Sequence, residues 1–196
     1  MGKIFVLMGK SASGKDAIYK KLIKDAALGL QPYVGYTTRP RRSGEEDGRE
    51  YYFVSEEKLH EIEKTGRLIE KRTYNTVHGD WHYFSVDDGR QDLDTQNYLY
   101  IGTLESFIPI RNYYGAERVI PLYVQVEDGE RLIRAIARER QQACPDYAEM
   151  CRRFLFDSED FSEDKIKAAG IEKRFDNIDI DECTGQIRDY IINEQS

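Results

Sequence analysis

The chain has 196 residues, of which 40% are hydrophobic and 33% charged, and it carries a formal net charge of −7. That length suits one domain with a full core. The acidic balance argues against broad binding to nucleic acid or anionic membrane, which needs a basic surface. No apolar run approaches the roughly 20 residues needed to span a bilayer. The run Ile4 to Met8 is also too short for a signal peptide's apolar region, so a cytoplasmic protein is expected. Cys144, Cys151 and Cys183 are odd in number and lack C-x-x-C spacing, the pattern of unpaired thiols in a reducing compartment.

In chain order, "KIFVLM" is a continuous apolar run without alternation, as in a strand buried on both faces. Ala17, Ile18, Leu22 and Ile23 recur at helical spacing, which predicts a helix over about 15–27. "PYVGYTT" (32–38) reads as a second strand, "YYFVS" as a short one, and Ser55 as the cap of a helix ending at Gly66. "LIEKRTY" and "WHYFSV" read as two strands turning around Gly79-Asp80, with His78 a turn residue and Trp81 assigned to the core. "YLYIGT" (98–103) and "RVIPLYVQV" (118–126) are again parallel-sheet runs, and Pro121 is expected at the second strand's entry or at an irregularity. Helices are expected at 105–114, over "EDGERLIRAIARERQ", over 146–168 and at the end. Strands alternating with helices predict an α/β fold, a single domain over 1–196.

Between the first strand and first helix lies Gly9-x-x-x-x-Gly14-Lys15, a phosphate-binding loop in the context that makes the pattern specific. Gly9, Ser11, Ala12, Ser13, Gly14, Lys15 and Asp16 are the candidates to hold a nucleoside triphosphate. Glycines let backbone N–H groups converge, the helix adds its positive end, and Lys15 supplies a mobile charge for the phosphates, which makes it a candidate catalytic residue. The following residue is normally a Ser or Thr that meets Mg²⁺, and here it is Asp16. A carboxylate can also take Mg²⁺, directly or through water, so Asp16 is the candidate metal residue. Its other reading is electrostatic support of the helix N-terminus.

"TTRPRRSGEEDGREYYFVS" (37–55) closely resembles the segment by which guanylate kinases hold GMP, T-T-R-x-x-R-x-G-E-x-x-G-x-[DE]-Y-x-F-[VL]-[ST]. The resemblance is clear over residues 4–70 and looser afterwards. It implies a P-loop kinase core of parallel sheet and helices, a monophosphate-binding β region near 35–88 and a helical lid near 139–165. By resemblance, Arg39, Arg42 and Tyr51 grip the monophosphate, a dianion that guanidinium forks bind bidentately. Glu70 matches the carboxylate that accepts from guanine N1–H and the 2-amino group. Arg41, Arg49 and the Glu45-Glu46-Asp47 run read as a solvated loop face. Tyr83 and Ser85 are the nearest counterparts of the family's next tyrosine and Ser/Thr, with His82 a rival for the tyrosine's place. The family's Asp-x-Asp pattern is absent: Tyr100 and Gly102 stand there, and Asp16 could compensate near the magnesium. Arg138, Arg140, Arg152 and Arg153 lie where the family keeps lid arginines; Arg138 and Arg153 are taken as catalytic candidates.

The resemblance implies ATP- and Mg²⁺-dependent phosphorylation of GMP or dGMP. The expected partners are small-molecule nucleotides, with no nucleic acid or membrane, and the chain is expected as a monomer or homodimer. Two other readings remain open. One is a kinase for another phosphorylated acceptor such as ribose 1,5-bisphosphate, whose enzymes share Gly-Lys-Asp at the loop. The other is a non-catalytic guanylate-kinase-like module that binds phosphopeptides.

Overall fold

The computed structural model describes residues 1–76 and 79–195. Its centre is a five-stranded parallel sheet in the order β2-β7-β1-β8-β9, made of β1 (Ile4–Met8), β2 (Leu30–Pro32), β7 (Asn97–Ile101), β8 (Val119–Gln125) and β9 (Arg174–Asp176). All five residues of β1 are buried, because this strand has a parallel neighbour on each side and a packed layer on each face. Alternation along β1 splits its side chains between two cores. Ile4, Val6 and Met8 join Phe107 and Ile110 of α3 (Leu104–Tyr114), with Ile166 of α6 (Glu163–Ala168). Phe5 and Leu7 join Ile18 and Leu22 of α1 (Lys15–Lys24), with Ile187 and Ile191 of α7 (Ile180–Gln195).

A second sheet, β4-β3-β6-β5, stands beside the first. It contains β3 (Tyr36–Thr37), β4 (Tyr52–Phe53), β5 (Leu68–Thr76) and β6 (Gly79–Val86). One face packs Tyr36, Phe84 and Val86 against Leu59 of α2 (Glu56–Lys64). The Ser55 hydroxyl caps α2 by accepting from the Lys58 N–H at 3.3 Å.

Several expectations need correction. The single strand read over 32–38 is two: the chain leaves the central sheet after Pro32 and enters the second at Tyr36. Gly79 and Asp80 are not a turn but the first residues of β6, paired with Thr76 and Asn75; His78 lies outside the described residues. Trp81 is half-buried rather than core. Pro121 sits inside β8 opposite Val6, not at its entry. The neighbouring β9 reaches only Tyr123 to Gln125, so at Pro121 that edge has no ladder bond to lose. The helical stretch over 146–168 breaks at Phe161 and Ser162 into α5 (Tyr147–Asp160) and α6, because buried Phe161 anchors in the core.

No helix among the described residues is long and apolar enough to cross a membrane.

Candidate active site

The loop between β1 and α1 is shaped by close backbone contacts. A Cβ on Gly9 would lie 2.4 Å from the Val124 carbonyl oxygen. Gly14 has φ +87°, and a Cβ there would lie 2.4 Å from Asn177 Nδ2. Ala12 alone among non-glycine described residues has a positive φ, 62°. Buried Asn177 braces the loop by donating from Nδ2 to the Ser13 carbonyl at 2.8 Å, while its own N–H donates to Gln125 O at 2.9 Å. It follows β9, a three-residue strand with no apolar run, so sequence periodicity gave no signal for either. Asn177→Ala leaves the Ser13 carbonyl unpaired under the loop and should cost about 1–3 kcal/mol in thermal or denaturant unfolding.

Lys15 is half-buried at the start of α1. Burial pushes its ammonium below the ordinary lysine value; Asp16 and Asp157 oppose that shift, and Arg138 and Arg131 add to it. Those charges therefore share one neighbourhood. Asp16 is exposed in the first turn of α1, and no cluster of three metal-ligating side chains surrounds it among the described residues. One carboxylate still suits Mg²⁺, which keeps waters and takes its other ligands from substrate phosphates.

The helical segment after β8 approaches the loop from outside. Fully buried Arg131 of α4 (Asp128–Glu139) donates from Nε to the Ser11 carbonyl at 3.1 Å and reaches Asp157 at 3.3 Å. Asp157, on α5, accepts from the Ser11 N–H at 2.7 Å, so a carboxylate already takes one loop amide. Neither residue was singled out from the sequence, since each reads as one charge among many on helices. Arg138 and Arg153 line one cavity of about 150 Å³ with Ser11. Exposed Arg138 has no carboxylate partner among the described residues, whereas Arg153 donates to Glu149 at 2.8 Å. Arg152 forks the same Glu149 through Nε at 2.6 Å and Nη2 at 2.8 Å. Helix α5 has no buried residue.

The second sheet's other face reaches the end of β7, where Arg72 meets Thr103 and Tyr100. Register pairs Glu70 with Ser85 and Arg72 with Tyr83, so these four side chains share a face, and the next residues, His82 and Phe84, point away. Ser85 Oγ donates to Glu70 Oε1 at 2.9 Å. The Tyr83 hydroxyl accepts from Arg39 Nε at 3.1 Å, while His82 Nδ1 meets Thr73 Oγ1 at 2.9 Å. Alternation thus favours Tyr83 over His82 for this surface. Tyr51 packs edge-on to Tyr83 with centroids 5.4 Å apart, and burial pushes its hydroxyl up to about 12, leaving it a donor at neutral pH. The guanidinium of exposed Arg42 has no carboxylate partner among the described residues.

Glu45 corrects the solvated-loop expectation. Buried Arg39 forks it, Nη2 to Oε1 at 2.8 Å and Nη1 to Oε2 at 2.9 Å, and the Arg42 N–H donates to it at 2.7 Å. Arg41, Glu46, Asp47 and Arg49 are exposed, as expected. The Arg39 contact, supported by the Arg42 N–H, holds the Glu45 carboxyl down to about 2 from an ordinary 4.5. A carboxylate depressed in the fold stabilises it above the unfolded value and loses that contribution as pH falls through the folded one. Glu45→Gln should therefore be less stable than the parent above pH 4.5 and equal to it below about pH 2, in unfolding followed by circular dichroism.

The departures at Tyr100 and Gly102 have a steric basis. A Cβ on Gly102 would lie 2.8 Å from Val6 Cγ1 and 2.9 Å from Tyr100 Cε1, so no aspartate fits beside that ring. Buried Tyr100 packs on Tyr33 with centroids 5.0 Å apart.

The family model for guanylate kinase matches residues 1–83. A guanylate kinase from Porphyromonas gingivalis is 27% identical over 195 residues, covering 97% of each chain. One from Thermotoga maritima is 32% identical over 63% of this chain and 49% of its own length. One from Rhodopseudomonas palustris is 44% identical over 35% of this chain and 31% of its own. The last two matches span less than two thirds of those relatives. The crystal structure of guanylate kinase from Anaplasma phagocytophilum superposes with a TM-score of 0.68 at 20% identity, covering 99% of this chain and 86% of that one, which shows a shared fold. The phosphate loop and the arginine-rich segment both lie inside the region matched by the guanylate kinase model, and the chain is similar to a guanylate kinase over its whole length.

Proposed function

We propose that the protein transfers the γ-phosphoryl group of ATP to GMP or dGMP, giving ADP and the nucleoside diphosphate. The observation that carries this reading is the single face of β5 and β6, which gathers Glu70, Ser85 and Tyr83 with Arg39, in a chain that also holds a braced phosphate loop. The loop amides, the α1 N-terminus and Lys15 hold the donor phosphates. Arg39, Arg42, Tyr51 and Tyr83 hold the acceptor phosphate, and Glu70 with Ser85 holds the base. Arg138 and Arg153 neutralise charge on the transferring group, with residues 139–165 acting as the lid. Transfer in line needs no covalent intermediate, so positioning and charge neutralisation supply the catalysis. Asp16 would hold Mg²⁺, directly or through water, and the metal would draw charge from the phosphates.

Asp157 must release the Ser11 amide before a phosphate can take it, which ties donor binding to movement of α5. The test is a coupled ADP-release assay with ATP and Mg²⁺, offering GMP, dGMP, AMP, UMP, CMP and ribose 1,5-bisphosphate. Turnover confined to guanine nucleotides supports the proposal. Turnover on ribose 1,5-bisphosphate instead, or none on any acceptor, overturns it.

A further inference from the structure

We infer that Arg72 is a second base-reading residue, forming with Glu70 a fixed carboxylate–guanidinium pair that recognises a ring N–H lying next to a C=O. Guanine presents that edge at N1 and C6. The inference rests on the reading of this face as the acceptor site and adds to it a specificity-determining residue.

Arg72 Nε donates to Glu70 Oε2 at 3.0 Å and Nη2 to Oε1 at 3.3 Å, with the two side chains only 10% and 3% exposed. A buried ion pair is a poor source of stability, because desolvation offsets most of the attraction. The sheet does not depend on this one: its packed core lies on the opposite face, around Phe84 and Leu59. Beyond the fork, Nη1 reaches Thr103 Oγ1 at 3.3 Å and Nη2 the Tyr100 hydroxyl at 3.4 Å, both long and weak, and the Tyr74 hydroxyl is a further polar neighbour of the guanidinium. The Nη edge therefore keeps donor capacity for a ligand. No competing carboxylate comes from β7 and its following turn, since Tyr100 and Gly102 occupy those positions.

An acceptor oxygen of Glu70 and a donor nitrogen of Arg72 thus stand side by side. A lactam edge complements them in order, N–H to the carboxylate and C=O to the guanidinium. Held in the same orientation by its phosphate, adenine offers the reverse order, a bare N1 facing the carboxylate and an amino group facing the guanidinium, and mismatches both. Hypoxanthine offers the same edge as guanine without the 2-amino group, so IMP is an expected second ligand.

The test is calorimetric titration of the full chain with GMP, IMP and 2-aminopurine riboside 5′-monophosphate, which keeps the phosphate and 2-amino group but lacks both N1–H and C6=O. The wild type should bind GMP and IMP more tightly than the 2-aminopurine nucleotide. Arg72→Met should weaken GMP and IMP by about 10–100-fold and leave the third nucleotide within about twofold. Arg72→Lys keeps the buried positive charge, and hence the fold, but lacks the planar fork; it should lose about tenfold on GMP and IMP alone. Unchanged GMP affinity in both variants, or equal weakening of all three nucleotides, overturns the inference. Because binding is read without ATP, a wild type that binds in the expected pattern but turns over neither GMP nor IMP overturns the kinase proposal alone. A wild type that binds none of the three overturns both.

Discussion

Lys15→Ala should lower kcat for ATP-dependent phosphorylation of GMP by about 10³-fold while leaving the KM for GMP within about threefold. Lys15 shares its neighbourhood with Asp16, Asp157, Arg131 and Arg138, so it sits where the donor phosphates would bring their charge. Burial already disfavours the ammonium there, and an arriving triphosphate would relieve that penalty. Alanine removes a charge-neutralising contact that strengthens as the phosphoryl group transfers. It leaves the β5–β6 face intact, because Lys15 is on α1 and makes no hydrogen bond to that sheet among the described residues. The coupled ADP-release assay with both substrates varied separates the two constants. Undiminished turnover would mean that the loop does not hold the reacting phosphates.

Glu70→Gln should reduce the preference for GMP over AMP by roughly 10²–10³-fold in kcat/KM, mostly through loss of GMP turnover. The substitution keeps the side chain's shape but replaces one acceptor oxygen with an amino donor, which opposes guanine's N1–H and 2-amino groups. It also strips charge from the partner that Arg72 forks and Ser85 contacts. Apparent phosphate affinity should change little, since Arg39, Arg42 and Tyr51 come from a different segment of the chain. Steady-state kinetics with both nucleotides gives the ratio. A ratio equal to that of the wild type would place base recognition elsewhere.

Much of this site is legible along the chain because its chemistry is local. The glycine loop needs a strand before it and a helix after it, and both are continuous periodic stretches, Ile4–Met8 and Lys15–Lys24. The segment 37–55 carries its arginines and tyrosine at fixed offsets, and Glu70 follows a short helix with a visible serine cap. Even the choice between His82 and Tyr83 reduces to the two-residue period of a strand, once the pairing of Glu70 with Ser85 is known.

What escaped the sequence reading comes from contacts distant along the chain. Asn177 braces a carbonyl 164 positions earlier, Arg131 and Asp157 meet at Ser11 from two helices, and Arg72 reaches the residue that caps α3. Each is an unremarkable polar residue in its own segment, and only packing gives it a particular partner. Glu45 shows the same limit at short range, since an acidic run looks solvated until one member is found turned inward onto Arg39. The sequence by itself determined the α/β class, the phosphate loop and the arginine segment, because glycine geometry, burial periodicity and residue spacing are encoded locally. Only the tertiary structure decided which charges are paired, which remain open to a ligand, and why no aspartate fits at Gly102, because buried charge and steric room depend on neighbours brought in from elsewhere in the chain.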